Sequence, residues 1–540
     1  MKLLASILLA LSILLLQTTV PAAQAQFPPQ IQNIVIVVQE NRTPDNLFHY
    51  LTPACPIPPN AAGLTACTPA VSASCYNIAH CGVSNQGGTP QPVPLAPVPL
   101  YGSALPQHSH WSFEKMCDPD PATLQCRNDG AWQITVPTGG SYGYVENTAV
   151  TNFDGSAGHI LDPYLALAKQ YGWANYMFQT NQGASYPAHQ YLFAGTSAAT
   201  AADDAKSTYL AEDFSTIYAS GCLAPQGATN NVISPVIGSV TAKCAPFDDR
   251  SVQECPVTNT GLIYPTDPVG SFCHTHQSMA DVLDAHGISW KYYASTAGSL
   301  ATAPVSYKNI CNPAFVNPNG DPSSALECTG QEWNAKVDLK QHGADFFNDV
   351  WGCKLPRVSW VIPDDRWSDH AGGNDYWGPS WVAAIINNIA ERKQCPAGTP
   401  DAGQTYWQNT AILVTWDDWG GWTDHEPPHY ASALPCKSTT CPGDFEHGFR
   451  VPLVVVSAYT PQGFISNQQH DFGSILRMIE GVNHLTEGQL GFADARAATD
   501  LHEFFSLRTP RVYHLIPAEK NATYFLTMPA AMPALTPDTD

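Results

Sequence analysis

Across 540 residues the chain carries 46 acidic against 24 basic side chains, a formal net charge of −22, and 44% of its residues are hydrophobic. That length and apolar content suit one large globular domain or two ordinary ones, and the negative balance excludes a polyanion binder built on a basic stripe, so no nucleic-acid partner is expected. If the substrate is anionic, bound metal must supply most of the positive charge.

The chain opens with Met1-Lys2-Leu3, stays apolar through Leu16 and reaches Ala23-Gln24-Ala25 before Gln26. This is the charge, length and small-residue spacing of a secretory signal peptide, so residues 1–25 read as signal and the product as secreted or periplasmic. No later segment holds the ~18 uninterrupted apolar residues of a membrane span, and no transmembrane anchor is expected. Sixteen cysteines follow the signal, an even set that suits disulfides in an oxidising compartment. Cys273-His274-Thr275-His276 lacks the second ligand pair of a zinc site.

Gln32 to Phe48, QNIVIVVQENRTPDNLF, runs as a β-branched apolar strand that stops abruptly at Glu40-Asn41. Leu51 to Gln107 is rich in Pro, Ala, Gly and Cys without a sustained period and reads as a stapled insertion holding Cys55, Cys67, Cys75 and Cys81, in pairings the sequence leaves open. Regular structure is expected to resume near Gly158, where Asp162-Pro163 precedes YLALAKQY and Gly172: an N-cap carboxylate, a proline at the first helical position and a glycine stop. Residues 201–272 form a second loop-rich insertion.

From Ser278 to Gly287 the pattern is helical, and Ile288 to Tyr293 reads as a strand. Ala344 to Val350 (helix) and Arg357 to Ile362 (strand) repeat that step; Trp381 to Arg392 is a long amphipathic helix leading into the Thr410 strand. Val451 to Ser457 is a further buried strand, Phe472 to Ile479 a helix, and the tail after Pro517 is Pro- and Ala-rich, a composition expected to be poorly ordered. Alternating helices and strands predict an α/β sandwich around a mostly parallel sheet, a single domain over 26–517 with stapled insertions and a tail over 518–540. Ligands of such sheets sit beyond the carboxyl ends of the strands.

Three constellations lie at those ends. Asp417-Asp418 follows ILVTW, and adjacent acids there repel unless a cation or water separates them; the bland alternative is a solvated turn into Gly420-Gly421. Glu40-Asn41 would complete an oxygen-rich site for a divalent cation, although such residues often only cap a turn. Ser185, between Gly183 and Pro187, stands where a helix N-terminus would expose a nucleophile or merely an N-cap. Histidines in the loops, among them His108, His110, His276, His370 and His425, could bind phosphate oxygens or protonate a leaving alkoxide, or serve as hydrogen-bonded structural residues. Asn41-Arg42-Thr43 and Asn521-Ala522-Thr523 match glycosylation sequons.

Four blocks carry a resemblance. Residues 34–48 with ENRTPDNLF are similar to the opening ENRSFDxxF motif of the bacterial phosphoesterase family that contains non-hemolytic phospholipases C and related acid phosphatases. Gly183 to His189 resembles its G-x-[ST]-x-P motif, Trp416 to Pro428 its [DE]-x-GG-x-x-DH-x-PP segment, and Arg450-Val451-Pro452 with Ser474 to Glu480 its closing block. The resemblance implies an alkaline-phosphatase-like α/β fold, a divalent metal ion, and a phosphate ester substrate with phospholipid as one candidate. It places metal ligands on Glu40, Asn41, Asp417 and Asp418, and a serine nucleophile, with a phosphoseryl intermediate, on Ser185. Phosphate-binding or leaving-group histidines fall on His276, His370 and His108 or His110. Trp419 replaces a histidine common in the family, and Ala188-His189 replaces a Pro-Asn-Arg style ending, which leaves phospholipase C and acid phosphatase both open.

An apolar rim for lipid could come from Tyr376-Trp377 and Trp419 to Trp422, or those rings could pack in the core. A secreted binding protein that kept the fold without activity is the rival from another class. A sulfatase-like hydrolase is disfavoured, since the C-x-P-x-R segment is absent. Metal identity and oligomeric state stay open.

Overall fold

A computed structural model describes residues 27–58, 67–102, 106–120, 125–134, 140–214, 219–224, 230–235, 273–315, 326–372, 377–431 and 445–528. The signal segment, Tyr376 and most of the second insertion lie outside the described residues.

Eight strands form the central sheet: β1 (Asn33–Gln39), β2 (Gly172–Phe178), β3 (Trp290–Tyr293), β4 (Val337–Asp338), β5 (Val358–Val361), β6 (Thr410–Trp416), β7 (Leu453–Ser457) and β8 (Phe464–Asp471). Their order is β4-β3-β5-β1-β6-β7-β2-β8. Neighbours run parallel except at β7, which is antiparallel to both β6 and β2. Every residue of β1, β6 and β7 is buried, as expected for a sheet covered on both faces, so their β-branched side chains fill the core on each side.

The principal helices are α1 (His110–Cys117), α2 (Asp162–Gln170), α3 (Ser185–Ala194), α4 (Met279–Ala285), α5 (Asp345–Trp351), α6 (Gly378–Glu391) and α7 (Phe472–Val482). One group, α2, α5 and α6, packs together, and a second group joins α3 with α4 and α7. The α/β expectation thus holds, with a large, mostly parallel sheet. Because β7 alone is reversed, its start beside Arg450 lies at the same edge as the ends of β1, β2, β5 and β6. That edge gathers every block singled out above.

Several local expectations change. Helix α1 precedes Gly158; its eight residues are too short and too mixed for a periodic signal. Asp162 is not the cap of α2: Leu161 takes that place, while Asp162 Oδ2 accepts from the backbone N–H of His159 at 2.8 Å. Gly172 does not stop the helix but begins β2, where an added Cβ would fall 2.4 Å from the Phe504 ring. Beyond Pro517, Ala522–Thr527 is helical and its Phe525 is buried against Trp367.

Among the described residues six disulfides join Cys55–Cys75, Cys67–Cys81, Cys117–Cys126, Cys222–Cys273, Cys311–Cys328 and Cys353–Cys395. Cys273 therefore offers no thiolate to a metal. Among the described residues no helix is long and apolar enough to cross a membrane.

Candidate active site

Strands β1 and β6 pair in register up to Gln39 opposite Trp416, so the residues that follow leave the sheet side by side. Gln39 then ties the tip of β1 to the loop after β5, donating to Trp367 O at 3.1 Å and accepting from Asp369 N at 2.9 Å. Asn41 adopts φ 61°, a left-handed conformation that asparagine tolerates better than most residues, and its backbone N–H reaches Asp417 Oδ1 at 3.0 Å. The turn after Asp418 needs glycine: Gly420 has φ 61°, and a Cβ there would lie 2.3 Å from Asn41 O. Gly421 (φ 69°) likewise admits the carbonyl of Gln107, which brings His108 to the site.

Asn41, Asp417 and Asp418 have no solvent exposure and Ser185 has 5%. Ser185 is the first residue of α3, and its hydroxyl donates to Asp418 Oδ2 at 3.0 Å with Asn41 Oδ1 alongside at 3.3 Å. Asp418 Oδ1 accepts from Gly420 N at 2.7 Å, and Asp417 Oδ1 from Asp418 N at 2.8 Å. Asp417 Oδ2 has no hydrogen-bond partner. Glu40 is half-buried at the same tip, receives the Ser368 hydroxyl at 3.4 Å, and with Asp417 acts electrostatically on Tyr292.

The histidines divide. His108 Nδ1 donates to Pro106 O at 3.1 Å, so its Nε2 accepts from Asn41 Nδ2 at 2.9 Å: the ring orients the asparagine. The His370 ring stands 6.0 Å from that of His108, with Nδ1 donating to Ala371 O at 2.8 Å. His110 starts α1, donates Nδ1 to Gln182 O at 2.7 Å, and is lowered by burial to about 4. His276 is not brought to Ser185: it is enclosed by Tyr307, Phe492 and His274 beside Ala199, past the far end of α3. Thr43, the nearest other hydroxyl in the ENRT block, caps a one-turn helix through Asn46 N and donates to Thr423 O.

Sequence reasoning missed His189 and Asp369, and His425, one of its candidate histidines, belongs to a cluster with Asp45 and Asp424. His189, one helical turn after Ser185, has Nε2 3.6 Å from Asp417 Oδ2; an i, i+4 spacing from the serine was its signal. Asp369 receives Tyr164 OH at 2.7 Å and Trp416 Nε1 at 3.0 Å, and burial raises it to about 6. Asp45, Asp424 and His425 lie close enough together to hold an ion, but Arg450 forks onto Asp424 at 2.7 and 2.9 Å and His425 Nδ1 meets Asp45 Oδ2 at 2.7 Å, so the cluster is closed on itself. Trp419 and Trp422 are buried, Trp419 among Phe113, Phe449 and His108, and supply no lipid-facing rim.

Strand-end carboxylates facing a hydroxyl at the start of a helix make up the candidate site of this mixed α/β protein. The chain belongs to the Phosphoesterase family, whose sequence model matches residues 31–486. It is 29% identical to phospholipase C B of Mycobacterium tuberculosis over 215 residues, 37% of each chain. Non-hemolytic phospholipase C of Pseudomonas aeruginosa is 24% identical over 44% of this chain and 34% of its own length, and non-specific phospholipase C6 of Arabidopsis thaliana 28% identical over 32% and 35%. The matched stretch thus spans about a third of these curated relatives. An alkaline phosphatase superfamily protein from Vibrio parahaemolyticus aligns over 61% of this chain and 62% of its own at 10% identity with a TM-score of 0.27.

Proposed function

We infer that this chain is an exported, metal-dependent phosphoric ester hydrolase with Ser185 as its nucleophile. The observation that carries the reading is the Ser185 hydroxyl, at the N-terminus of a ten-residue helix, pointing at Asp418 Oδ2 and Asn41 Oδ1. The donor set fits a divalent cation: Asp417 Oδ2 is fully buried and unpartnered, and a hard ion is the ordinary complement of carboxylate and amide oxygens. Glu40, Asn41, Asp417 and Asp418 would hold it, and when bound it supplies Lewis-acid polarisation of a phosphoryl oxygen and acidifies the serine hydroxyl.

The chain's own residues do the rest. The hydroxyl proton already faces a carboxylate oxygen at 3.0 Å, so attack by Ser185 Oγ on phosphorus has a proton acceptor in place. The start of α3 places the positive end of its dipole at the developing phosphoseryl group. His108 holds Asn41 in register, and His370, half-buried beside it, is the histidine placed to meet a leaving alcohol. Water then displaces Ser185 Oγ from phosphorus and releases the phosphorylated product.

The names of the relatives favour a phosphodiester of the phospholipid type, with acid phosphatase action on monoesters as the alternative. Six disulfides among the described residues support export. The test is Ser185→Ala assayed on phosphatidylcholine, for released phosphocholine, and on p-nitrophenyl phosphate, for inorganic phosphate, with metal content measured on the same samples. Turnover should vanish while metal stays bound. Retained turnover removes Ser185 from its role, and a wild-type protein silent on both esters with metals added favours a binding protein of this fold.

A further inference from the structure

His189 is a fully buried imidazole on α3, and its Nε2, like Asp417 Oδ2, has no hydrogen-bond partner. The two atoms are 3.6 Å apart, too far for a hydrogen bond. The other ring nitrogen decides what Nε2 carries. Tyr292 OH spends its hydrogen on Ala301 O at 2.6 Å, leaving its oxygen to accept; it lies 3.4 Å from His189 Nδ1. The proton of a neutral ring therefore sits on Nδ1, and Nε2 presents a lone pair. A buried lone pair on nitrogen then faces a buried carboxylate oxygen across a gap that hydrogen bonding does not close, an arrangement that costs energy unless a cation lies between them.

The spacing suits one. Two donors ~2.0–2.2 Å from a common ion, at ordinary tetrahedral or octahedral angles, lie roughly 3–3.5 Å apart. A ligating histidine also characteristically donates its other N–H to a neighbouring group, as Nδ1 does toward Tyr292.

We propose that His189 Nε2 is a nitrogen ligand of the ion held by Glu40, Asn41, Asp417 and Asp418, and that it makes the centre selective for a first-row transition ion such as Zn²⁺ or Mn²⁺ over Ca²⁺ and Mg²⁺. This rests on reading the site as metal-dependent, and adds to it the donor that sets the metal's class. Oxygen donors alone suit hard ions, whereas an imidazole among them moves the preference toward zinc and its neighbours. The helix that presents the nucleophile thus presents the discriminating ligand one turn later, on the same face.

The experiment strips the wild-type protein, His189→Gln and Tyr292→Phe with a chelator and reloads each with Zn²⁺, Mn²⁺, Ca²⁺ or Mg²⁺ alone. Affinity is read by competition titration and bound metal by elemental analysis, and circular dichroism verifies the fold. In His189→Gln, Zn²⁺ affinity should fall by about tenfold or more while Ca²⁺ and Mg²⁺ affinities hold, and Tyr292→Phe should lower Zn²⁺ affinity by a smaller factor. In the Mn²⁺-loaded wild type, pulsed electron paramagnetic resonance should show an imidazole nitrogen coupling that His189→Gln removes. An unchanged metal ranking in folded His189→Gln, or a coupling that persists there, overturns the proposal and leaves the metal-dependent reading standing. A wild-type protein that binds none of the four ions overturns both.

Discussion

The backbone N–H of Asn41 and Oδ1 of Asp417 meet at 3.0 Å, although 376 residues separate them. The same oxygen accepts from the N–H of Asp418, so one carboxylate locks both strand-end turns while its second oxygen faces the site. Structure and chemistry are therefore divided between two atoms of one side chain. Asp417→Asn keeps the amide-accepting oxygen and should unfold within about 1 kcal/mol of wild type while losing at least about a hundredfold in kcat. Asp417→Ala strands two buried N–H groups and should cost about 2–4 kcal/mol as well as activity. Chemical unfolding and kinetics on the same preparations separate the two effects; equal stability losses would show that the turns do not depend on this carboxylate.

His108 provides a second division. Since its Nε2 accepts from Asn41, it acts as a positioning residue and carries no proton toward substrate. His108→Ala should lower kcat by about 10–100-fold, with a similar loss on esters of good and poor leaving groups. A general acid would instead be spared on a good leaving group. Recovery of turnover on p-nitrophenyl esters alone would reassign His108 to proton transfer.

What the sequence shows of this site follows from what is local. Glu40-Asn41 and Asp417-Asp418 end uninterrupted apolar runs, and a buried strand is legible in a single window. Ser185 is marked by the glycine and proline around it. His189 is not: a histidine between alanine and glutamine on an apolar helix reads as a core residue until the tip of β6 is known to lie opposite it. Trp419 could line a rim or fill a core, and the choice is made by α1, whose short HWSFEKMC run has no period to reveal it. The Asp424-His425 pair reads as chemistry in sequence and as scaffolding in space, because Arg450, which neutralises it, lies 26 residues on.

That scaffold is testable. Arg450 is wholly buried and binds Asp424 through two nitrogens while also donating to the carbonyls of Asn77 and Asn175. It joins the insertion, β2 and the loop after β6. Arg450→Met should destabilise by about 3–5 kcal/mol, because Asp424 and Asp45 are left buried beside each other without their cation. Arg450→Lys should recover little, lacking the fork. Adding Asp424→Asn to Arg450→Met should restore part of the loss, and a double variant no more stable than the single would show that the charge is not the cause. Chemical unfolding midpoints measure each step.

Stability should also depend on pH in a direction these groups dictate. Burial, and for Glu114 also the neighbouring Glu446, raises Glu114 from 4.5 to about 8, Glu446 to about 7 and Glu480 to about 7. Each binds its proton more tightly folded than unfolded, so its contribution is complete below 4.5 and is lost as pH rises toward those values. Buried histidines act the other way: His110 and His447 fall from 6.5 to about 4 and His470 to about 3, so stability is lost as pH drops below 6.5. Below 6.5 the two sets oppose each other; above it only the carboxyls act. Unfolding free energy should therefore decline from pH 6.5 to 8, with Glu114 alone contributing about 1–2 kcal/mol of the fall. Glu114→Gln, which cannot ionise, should flatten that limb and gain stability at pH 8 relative to pH 5. Urea titrations across this range decide it: a wild-type curve that rises between pH 6.5 and 8, or a Glu114→Gln curve parallel to it, would show that these carboxyls ionise without resistance in the folded protein.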